Sequence, residues 1–118
     1  MKEVLYTMAN YNFIKLAKES TNGEIEYKTY VTPAFIPFTM LYEATDIMSG
    51  LEDKSEREAM DVMLDFVVRI YKNQFTKEEL LQGLSAPEAI QTIQQQIEFV
   101  ASGQLDDARK KELKEILK

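Results

Sequence analysis

Apolar and polar residues follow two different spacings in the first third of the chain. Residues 12–18, NFIKLAK, mix the two kinds at short intervals, and residues 24–31, EIEYKTYV, alternate them, which is typical of strands with one buried face. Between these segments lie Asn22 and Gly23, which both tolerate the positive φ of a tight turn. The pattern predicts a β-hairpin over about residues 12–31.

A turn centred on the Asn-Gly pair predicts the register of this hairpin. Ile14 then lies opposite Val31, and Leu16 lies opposite Thr29. Because two strands alone are marginally stable in water, residues 2–8, KEVLYTM, are a candidate third strand. The predicted apolar face of the second strand contains Ile25, Tyr27, Thr29 and Val31.

The most apolar window, YVTPAFIPFTMLYEATDIM at residues 30–48, is predicted to be a transition from strand to helix. Pro33 ends the strand by removing an amide donor, and Pro37 suits the first turn of a helix. Gly50 is expected to end that helix. Helical spacing divides its apolar residues into one face with Phe38, Leu41, Tyr42, Thr45 and Met48 and another with Met40, Ala44 and Ile47.

Capping-box spacings predict three further helices. The first begins after Ser55, which has Glu58 three residues later, and runs over about residues 56–72. It is apolar around most of its circumference, apart from a charged stripe in which Asp65 and Arg69 are spaced for an ion pair. This helix is expected to lie at the centre of the core or to pack on a second chain as well.

The second and third of these helices are shorter and more regularly amphipathic. One is capped by Thr76 and Glu79 and ends at Gly83; the other is capped by Ser85 and Glu88 and ends at Gly103. The last has glutamines opposite an apolar stripe of Ala89, Ile90, Ile93, Ile97, Val100 and Ala101.

These elements predict an α+β fold that is predominantly α-helical, with an N-terminal β-hairpin or small antiparallel sheet followed by four to five helices. Residues 1–103 are expected to form a single globular domain, with the helical part at about 37–103. Residues 104–118 are expected to form a helical or frayed C-terminal tail, because their apolar residues are few.

Composition excludes several classes of function. Twenty acidic and fourteen basic residues give a net charge of −6, which disfavours binding to nucleic acid or to an anionic membrane. The absence of cysteine and histidine removes disulfides, the commonest zinc ligands and the usual general base. No window is apolar enough for a signal peptide or a transmembrane helix, so a cytoplasmic protein is expected.

Carboxylates are the plentiful reactive groups. Asp61 and Asp65 share a helical face, but this pattern is typical of a solvated stripe that Arg69 and Lys72 neutralise. Serines lack a histidine partner, and the glycines form no phosphate-binding loop. We therefore expect no enzyme activity, no catalytic residue, no metal site and no cofactor.

Adaptable apolar surface is the remaining unusual feature, and it favours a protein-binding role. Methionine fills irregular gaps in a core, but Met-rich and aromatic surfaces also serve proteins that bind varied helical partners. Both interpretations apply to the candidate partner-binding residues Met40, Met60, Met63, Val67 and Tyr71.

Three successive segments resemble the tail assembly chaperones of long-tailed phages and prophages of Gram-positive bacteria. They are EYKTYVTPAFIPFTMLYEATDIM, then MDVMLDFVVRIYKNQFTKEELLQGL, then a glutamine-rich amphipathic helix. The resemblance covers about residues 12–103. Its most specific part is VVRIYKNQFTKEELLQGL, residues 67–84, where a buried helix ends and a helix cap follows.

The resemblance implies a non-enzymatic role. Such chaperones bind the long, helical tape measure protein and keep it soluble before the tail tube polymerises, and they are absent from the mature virion. It also implies a homo-oligomer and, through a longer frameshifted form, contact with the tail tube protein. The alternative that composition leaves open is a small acidic regulatory protein of the antitoxin or anti-repressor kind, and a third is a structural tail or head-completion protein.

Overall fold

A two-stranded antiparallel sheet precedes the helices in the computed structural model, which describes residues 11–19, 22–103 and 107–117. In these residues the strands are β1 (Phe13–Glu19) and β2 (Ile25–Val31). A 3₁₀ turn, Leu51–Asp53, joins the first two helices. The helices are α1 (Thr39–Gly50), α2 (Glu56–Ile70), α3 (Lys77–Gly83), α4 (Ala86–Ser102) and α5 (Asp107–Ile116). The predicted α+β, mainly helical fold is confirmed; the candidate third strand at residues 2–8 lies outside the described residues.

The hairpin register differs by one residue from the prediction. Phe13 pairs with Val31 and Ile14 pairs with Tyr30, whereas a two-residue Asn-Gly turn would put Ile14 opposite Val31. Because side chains alternate between the faces of a strand, this shift exchanges the two faces of β2. Tyr30 is therefore buried, where its ring meets Phe75 at a centroid distance of 5.0 Å, and the predicted apolar residue Tyr27 is exposed.

The core lies between the hairpin and the helices, with α2 at its centre. α4 packs against both α1 and α2, and α3 packs against β1 and α2. The apolar helix α2 thus takes the central position, which is one of the two that the sequence predicts for it. Buried residues of the core include Ile14, Leu16, Tyr30, Ala44, Met63, Leu64, Phe66, Val67, Ile70, Tyr71, Phe75, Leu80, Ile93 and Ile97.

The two predicted apolar faces of α1 differ in burial. The face with Ala44 packs into the core, together with the partly buried Met40 and Ile47. The opposite face exposes Tyr42 and Met48. One side of this helix therefore presents apolar surface to solvent.

Helix caps agree with the prediction at two of the three positions. The Ser55 hydroxyl accepts a hydrogen bond from the amide of Glu58, and Thr76 and Glu79 form a complete capping box. Ser85 precedes α4 without a side-chain capping bond, and its carbonyl instead accepts from the amide of Glu88. That cap prediction is wrong because the backbone, with Pro87 in the first turn, begins the helix unaided.

The helix ends are set by left-handed residues. α2 ends at Ile70, two residues earlier than predicted, because Lys72 and Asn73 adopt φ values of 50° and 59°. α4 ends as predicted at Gly103, whose φ is 70° and whose amide donates to the carbonyl of Phe99 at 2.7 Å.

The charged stripe of α2 pairs with other elements. Arg69 lies 3.4 Å from Glu43 of α1, so the expected pairing of Asp65 with Arg69 is replaced by a contact between helices. Lys77 of α3 lies 3.3 Å from Asp65 and 3.5 Å from Asp61. Burial would lower the pKa of Lys77, but the hydrogen bond and charge of Asp65, with those of Asp61, raise it above 10.5.

The C-terminal helix α5 lies against the first residues of β1. The guanidinium of Arg109 donates to the carbonyl of Phe13 at 2.6 Å and lies 4.1 Å from the centre of its ring. Lys15 forms an ion pair with Glu112, and Leu113 is buried. Part of the segment predicted as helical or frayed is thus a docked helix, while a domain boundary at residue 103 stays a prediction.

Candidate functional site

An apolar groove opens at the surface where α2, α3 and α4 meet. It has a volume of 170 Å³, close to the roughly 150 Å³ of an engineered apolar cavity that holds benzene. The groove residues are Met60, Met63, Leu64, Leu80, Leu81, Leu84, Ala86, Ala89, Ile90 and Ile93. Its rim is open to solvent, because Met60, Leu81 and Ile90 are 40%, 51% and 51% exposed.

Local sequence features fix the walls of this groove. The capping box begins α3 at a defined residue, and the ion pairs of Lys77 with Asp61 and Asp65 hold the start of α3 beside α2. At the other end of α3, Gly83 approaches Leu16 so closely that an added Cβ would lie 2.8 Å from the Leu16 Cβ. One wall of the groove is therefore a helix, α3, that is held at both ends.

The side chains of the groove are all apolar. Each of them is a Met, Leu, Ile or Ala, so no side chain of the groove can orient a small molecule through a hydrogen bond or transfer a proton. Apolar side chains of an amphipathic helix, projecting at spacings of three or four residues, are the ligands that such a surface suits. Met60, at the rim, adds a flexible and polarisable contact.

The five candidate partner-binding residues occupy different environments. Met60 and Met63 line the groove, the first at its rim and the second at its buried floor. Met40 is partly buried against the core, and Val67 and Tyr71 expose no surface. Their partner-binding role stays a prediction, and the structure brings only Met60 and Met63 together at an open surface.

Sequence reasoning missed two exposed residues of the groove. The sequence places Ile90 in the apolar stripe of α4 and Leu81 in a short helix, but it does not indicate that either residue is exposed. The available signal was the length of α3, which has seven residues and carries Leu80 and Leu81 on different faces. Such a short helix cannot bury both faces against one neighbour.

A second apolar surface lies on α1 and the segment before it. We call it the aromatic face and define it as Phe35, Phe38, Leu41, Tyr42, Thr45 and Met48. Phe35, Phe38 and Tyr42 are 73%, 67% and 65% exposed, and the rings of Phe38 and Tyr42 meet edge to face at 5.4 Å. Beside them is a hollow of 310 Å³, whose far wall is formed by Phe99, Val100 and Gly103 of the α4 end.

A buried polar network joins the core to α5. Gln96 of α4 accepts hydrogen bonds from the Tyr71 hydroxyl at 2.6 Å and from the Asn12 amide group at 3.1 Å, and it donates to the Phe13 carbonyl at 2.8 Å. Arg109 donates to the Asn12 side-chain oxygen at 2.9 Å. Burial raises the pKa of Tyr71 well above 10.0, so the phenol stays protonated and structural.

No other chemistry stands out in the part of the chain that the structure describes. Within residues 11–19, 22–103 and 107–117, no cluster of acidic side chains could hold a metal ion. Over the same residues, no helix has the length and apolar character needed to cross a membrane. The groove and the aromatic face therefore remain as the candidate functional surfaces.

Comparison with protein families decides between the remaining functional classes. The model of a family described as phage tail chaperone protein matches residues 8–116. The chain belongs to this family. As a phage tail chaperone it has binding partners among phage tail proteins, and the family indicates a non-enzymatic role. No curated protein and no solved structure matches it.

The tail-chaperone prediction made from residues 12–103 is thus confirmed. The match also includes α5, which the resemblance did not cover. Both apolar surfaces belong to the part of the phage tail chaperone that the family model spans.

Proposed function

We propose that this tail chaperone binds the tape measure protein of its phage and keeps it soluble before the tail tube polymerises. The observation that supports the proposal is the open apolar groove between α2, α3 and α4, with Met60, Leu81 and Ile90 at its rim. A tape measure protein is a long helical client, and an amphipathic helix of such a client presents the apolar side chains that this groove can cover.

The groove shields a client through many weak contacts. Full burial of a large apolar side chain contributes about 1.5–3 kcal/mol, and the three rim residues are each only about half exposed. One groove therefore contributes modest affinity, and a long client is kept soluble by many copies along its length. Weak individual contacts also permit release when tube subunits replace the chaperone.

Co-expression with the tape measure protein of the same phage tests this function. We expect the full chain to raise the soluble fraction of the tape measure protein, and we expect Ile90→Glu or Leu81→Glu to abolish that increase because a charge would be buried in an apolar groove. Ile25→Glu is the matched control, since Ile25 is an equally large apolar residue that is exposed on the hairpin and does not line the groove.

The outcomes separate the proposal from its alternatives. Equal solubility of the tape measure protein with and without the chaperone would contradict the function. If Ile90→Glu and Ile25→Glu both retained full activity, the client would bind elsewhere on the molecule.

Five further features of the proposal rest on the resemblance. The chaperone serves a long-tailed phage of Gram-positive bacteria, acts in the host cytoplasm and is absent from the mature virion. A longer frameshifted form carries an additional C-terminal domain that recruits the tail tube protein. Copies also associate with one another along the client.

The alternative of a small acidic regulator is not favoured by the family to which the chain belongs. A regulator that bound a basic partner through its acidic surface would use charge, whereas the groove is apolar. The salt dependence of binding distinguishes a tail chaperone from an acidic regulator.

A further inference from the structure

The aromatic face is uncharged in a chain that is rich in charge. Charged residues make up 29% of the sequence and give it a net charge of −6. Among the six residues of the aromatic face none carries a charge, and the acidic residues of α1 lie beside it: Glu43 pairs with Arg69, and Asp46 is at its border. This face can approach another acidic protein without placing like charges in contact.

Two hydroxyl groups on or beside the face are already partnered within the helix. The hydroxyl of Thr45 donates to the carbonyl of Leu41 at 3.0 Å, and the hydroxyl of the neighbouring Ser49 donates to the carbonyl of Asp46 at 3.2 Å. Burying the face therefore leaves neither of these two hydroxyl protons unpaired.

A projection and a hollow lie next to each other on this surface. Tyr42 projects from α1, and the 310 Å³ hollow beside it is lined by Phe38, Leu41 and Val100 among others. That volume is about twice the roughly 150 Å³ that holds a benzene ring. A patch that carries both the projecting ring and the space to receive it can pair with a copy of itself around a two-fold axis.

The area available is sufficient for a specific contact. Phe35, Phe38 and Tyr42 are each about two-thirds exposed or more, and a buried aromatic side chain covers 150–250 Å², so these three contribute about 400 Å² per copy. With Leu41 and Met48 added, two copies would bury about 1,000 Å² in total, which is near the lower bound for a biological interface.

The position of the face leaves the groove free. The hollow is bounded by Phe99 and Val100 at the end of α4, whereas the groove uses Ile93 and earlier residues of the same helix. Six residues of α-helix separate Ile93 from Phe99, a distance of about 9 Å. One copy can therefore contact a second copy and a client at the same time.

We infer that the aromatic face is the interface of a two-fold homodimer, in which Tyr42 of each copy enters the hollow of the other. The occupant is a second copy of this chain, because the face is uncharged, places a projecting ring beside a hollow and offers about the 1,000 Å² that a specific dimer needs. This inference rests on the self-association included in the proposed function and assigns it a surface. A dimer would present two grooves to one long client, which raises its apparent affinity without a new type of contact.

The mass of the purified full chain in solution tests the dimer without any client. Sedimentation velocity at concentrations up to about 100 μM, where a micromolar dimer is populated, is expected to show twice the 13.7 kDa of the chain. Tyr42→Glu is expected to give the monomer mass, because each copy would bring a charge into the other's hollow. Leu81→Glu, which changes an exposed residue of the groove, is the matched control and is expected to remain dimeric.

Cysteine cross-linking gives a second test that does not depend on a disruptive substitution. The chain has no cysteine, so Thr45→Cys introduces a single thiol near the centre of the face. Under mild oxidation we expect Thr45→Cys to form a covalent dimer rapidly, and Leu81→Cys to form little.

Three results would overturn the inference: a monomeric wild-type chain at the highest concentration, a Tyr42→Glu variant that stays dimeric with wild-type circular dichroism, or equal cross-linking of Thr45→Cys and Leu81→Cys. None of them bears on client binding, which the co-expression experiment measures separately.

Discussion

Gly83 shows how one residue without a side chain determines the packing of α3. An added Cβ would lie 2.8 Å from the Cβ of Leu16 and 3.2 Å from its Cα, which is a backbone atom of β1. Leu16 is fully buried, so neither its side chain nor the strand has free space into which to move. The close approach of α3 to β1 depends on glycine at this position. The shape of the groove, which α3 helps to form, depends on the same close approach.

Gly83→Ala is accordingly expected to destabilise the fold by about 1–3 kcal/mol, because the methyl group overpacks the contact with Leu16. Gly50→Ala is the matched control: nothing lies within 4 Å of its added Cβ, and alanine at a helix end is expected to be neutral or to stabilise by up to about 1 kcal/mol. Urea unfolding followed by circular dichroism measures both. Equal stabilities of the two variants would show that the contact with Leu16 is relaxed in solution.

At the level of elements, α3 begins at a capping box whose glutamate also contacts the hairpin. The Glu79 carboxylate accepts from the amide of Thr76 at 3.0 Å and lies 3.2 Å from the ammonium group of Lys18 on β1. The hydrogen bond from the Thr76 amide and then the Lys18 contact lower the pKa of Glu79 below its ordinary value of 4.5. The folded state therefore favours the ionised carboxylate.

The lowered pKa of Glu79 predicts that the stability of the fold depends on pH. A lowered pKa in the folded state contributes stability that is complete above pH 4.5 and is lost as the pH falls through the folded-state pKa. Glu79→Gln keeps an acceptor for the Thr76 amide but removes the charge, so its stability should fall less steeply than that of the wild type between about pH 5 and pH 2. Urea unfolding across this range checks the difference. The same pH slope in both proteins would contradict the assigned role.

At the scale of the whole molecule, net negative charge and uncharged apolar surfaces occur together. The charge keeps copies apart in general, while the groove and the aromatic face permit association at selected places. Contacts between apolar surfaces are little affected by ionic strength, whereas contacts between exposed charges weaken as salt screens them.

Binding to the tape measure protein is therefore expected to be tolerant of salt. We expect its dissociation constant to change by less than about threefold between about 0.1 M and 0.5 M salt, because the groove contributes no charge to the contact. Fluorescence titration of a labelled tape measure fragment measures this, with Ile90→Glu as the variant that should not bind. A loss of affinity of tenfold or more over this range would favour the acidic regulatory protein instead.

Local signals in the sequence were enough to place most elements. Some features depend only on residues a few positions apart, so they can be predicted without the tertiary structure. They are the caps at Ser55 and Thr76, the helix end at Gly103 and the two apolar faces of α1. The resemblance of residues 12–103 to tail assembly chaperones agrees with the family whose model matches residues 8–116.

The tertiary structure decided which face of each element is covered. The hairpin register, the burial of Gln96 and the exposure of Ile90 depend on neighbours far away in the chain: Gln96 is buried because Tyr71, Asn12 and Phe13 satisfy its amide. Helical spacing defines two apolar faces on α1, but only the packing of α4 and α2 against one of them leaves Phe38 and Tyr42 exposed. Periodicity shows that a face is apolar. Whether that face is buried in the core or remains exposed for binding depends on which other elements pack against it.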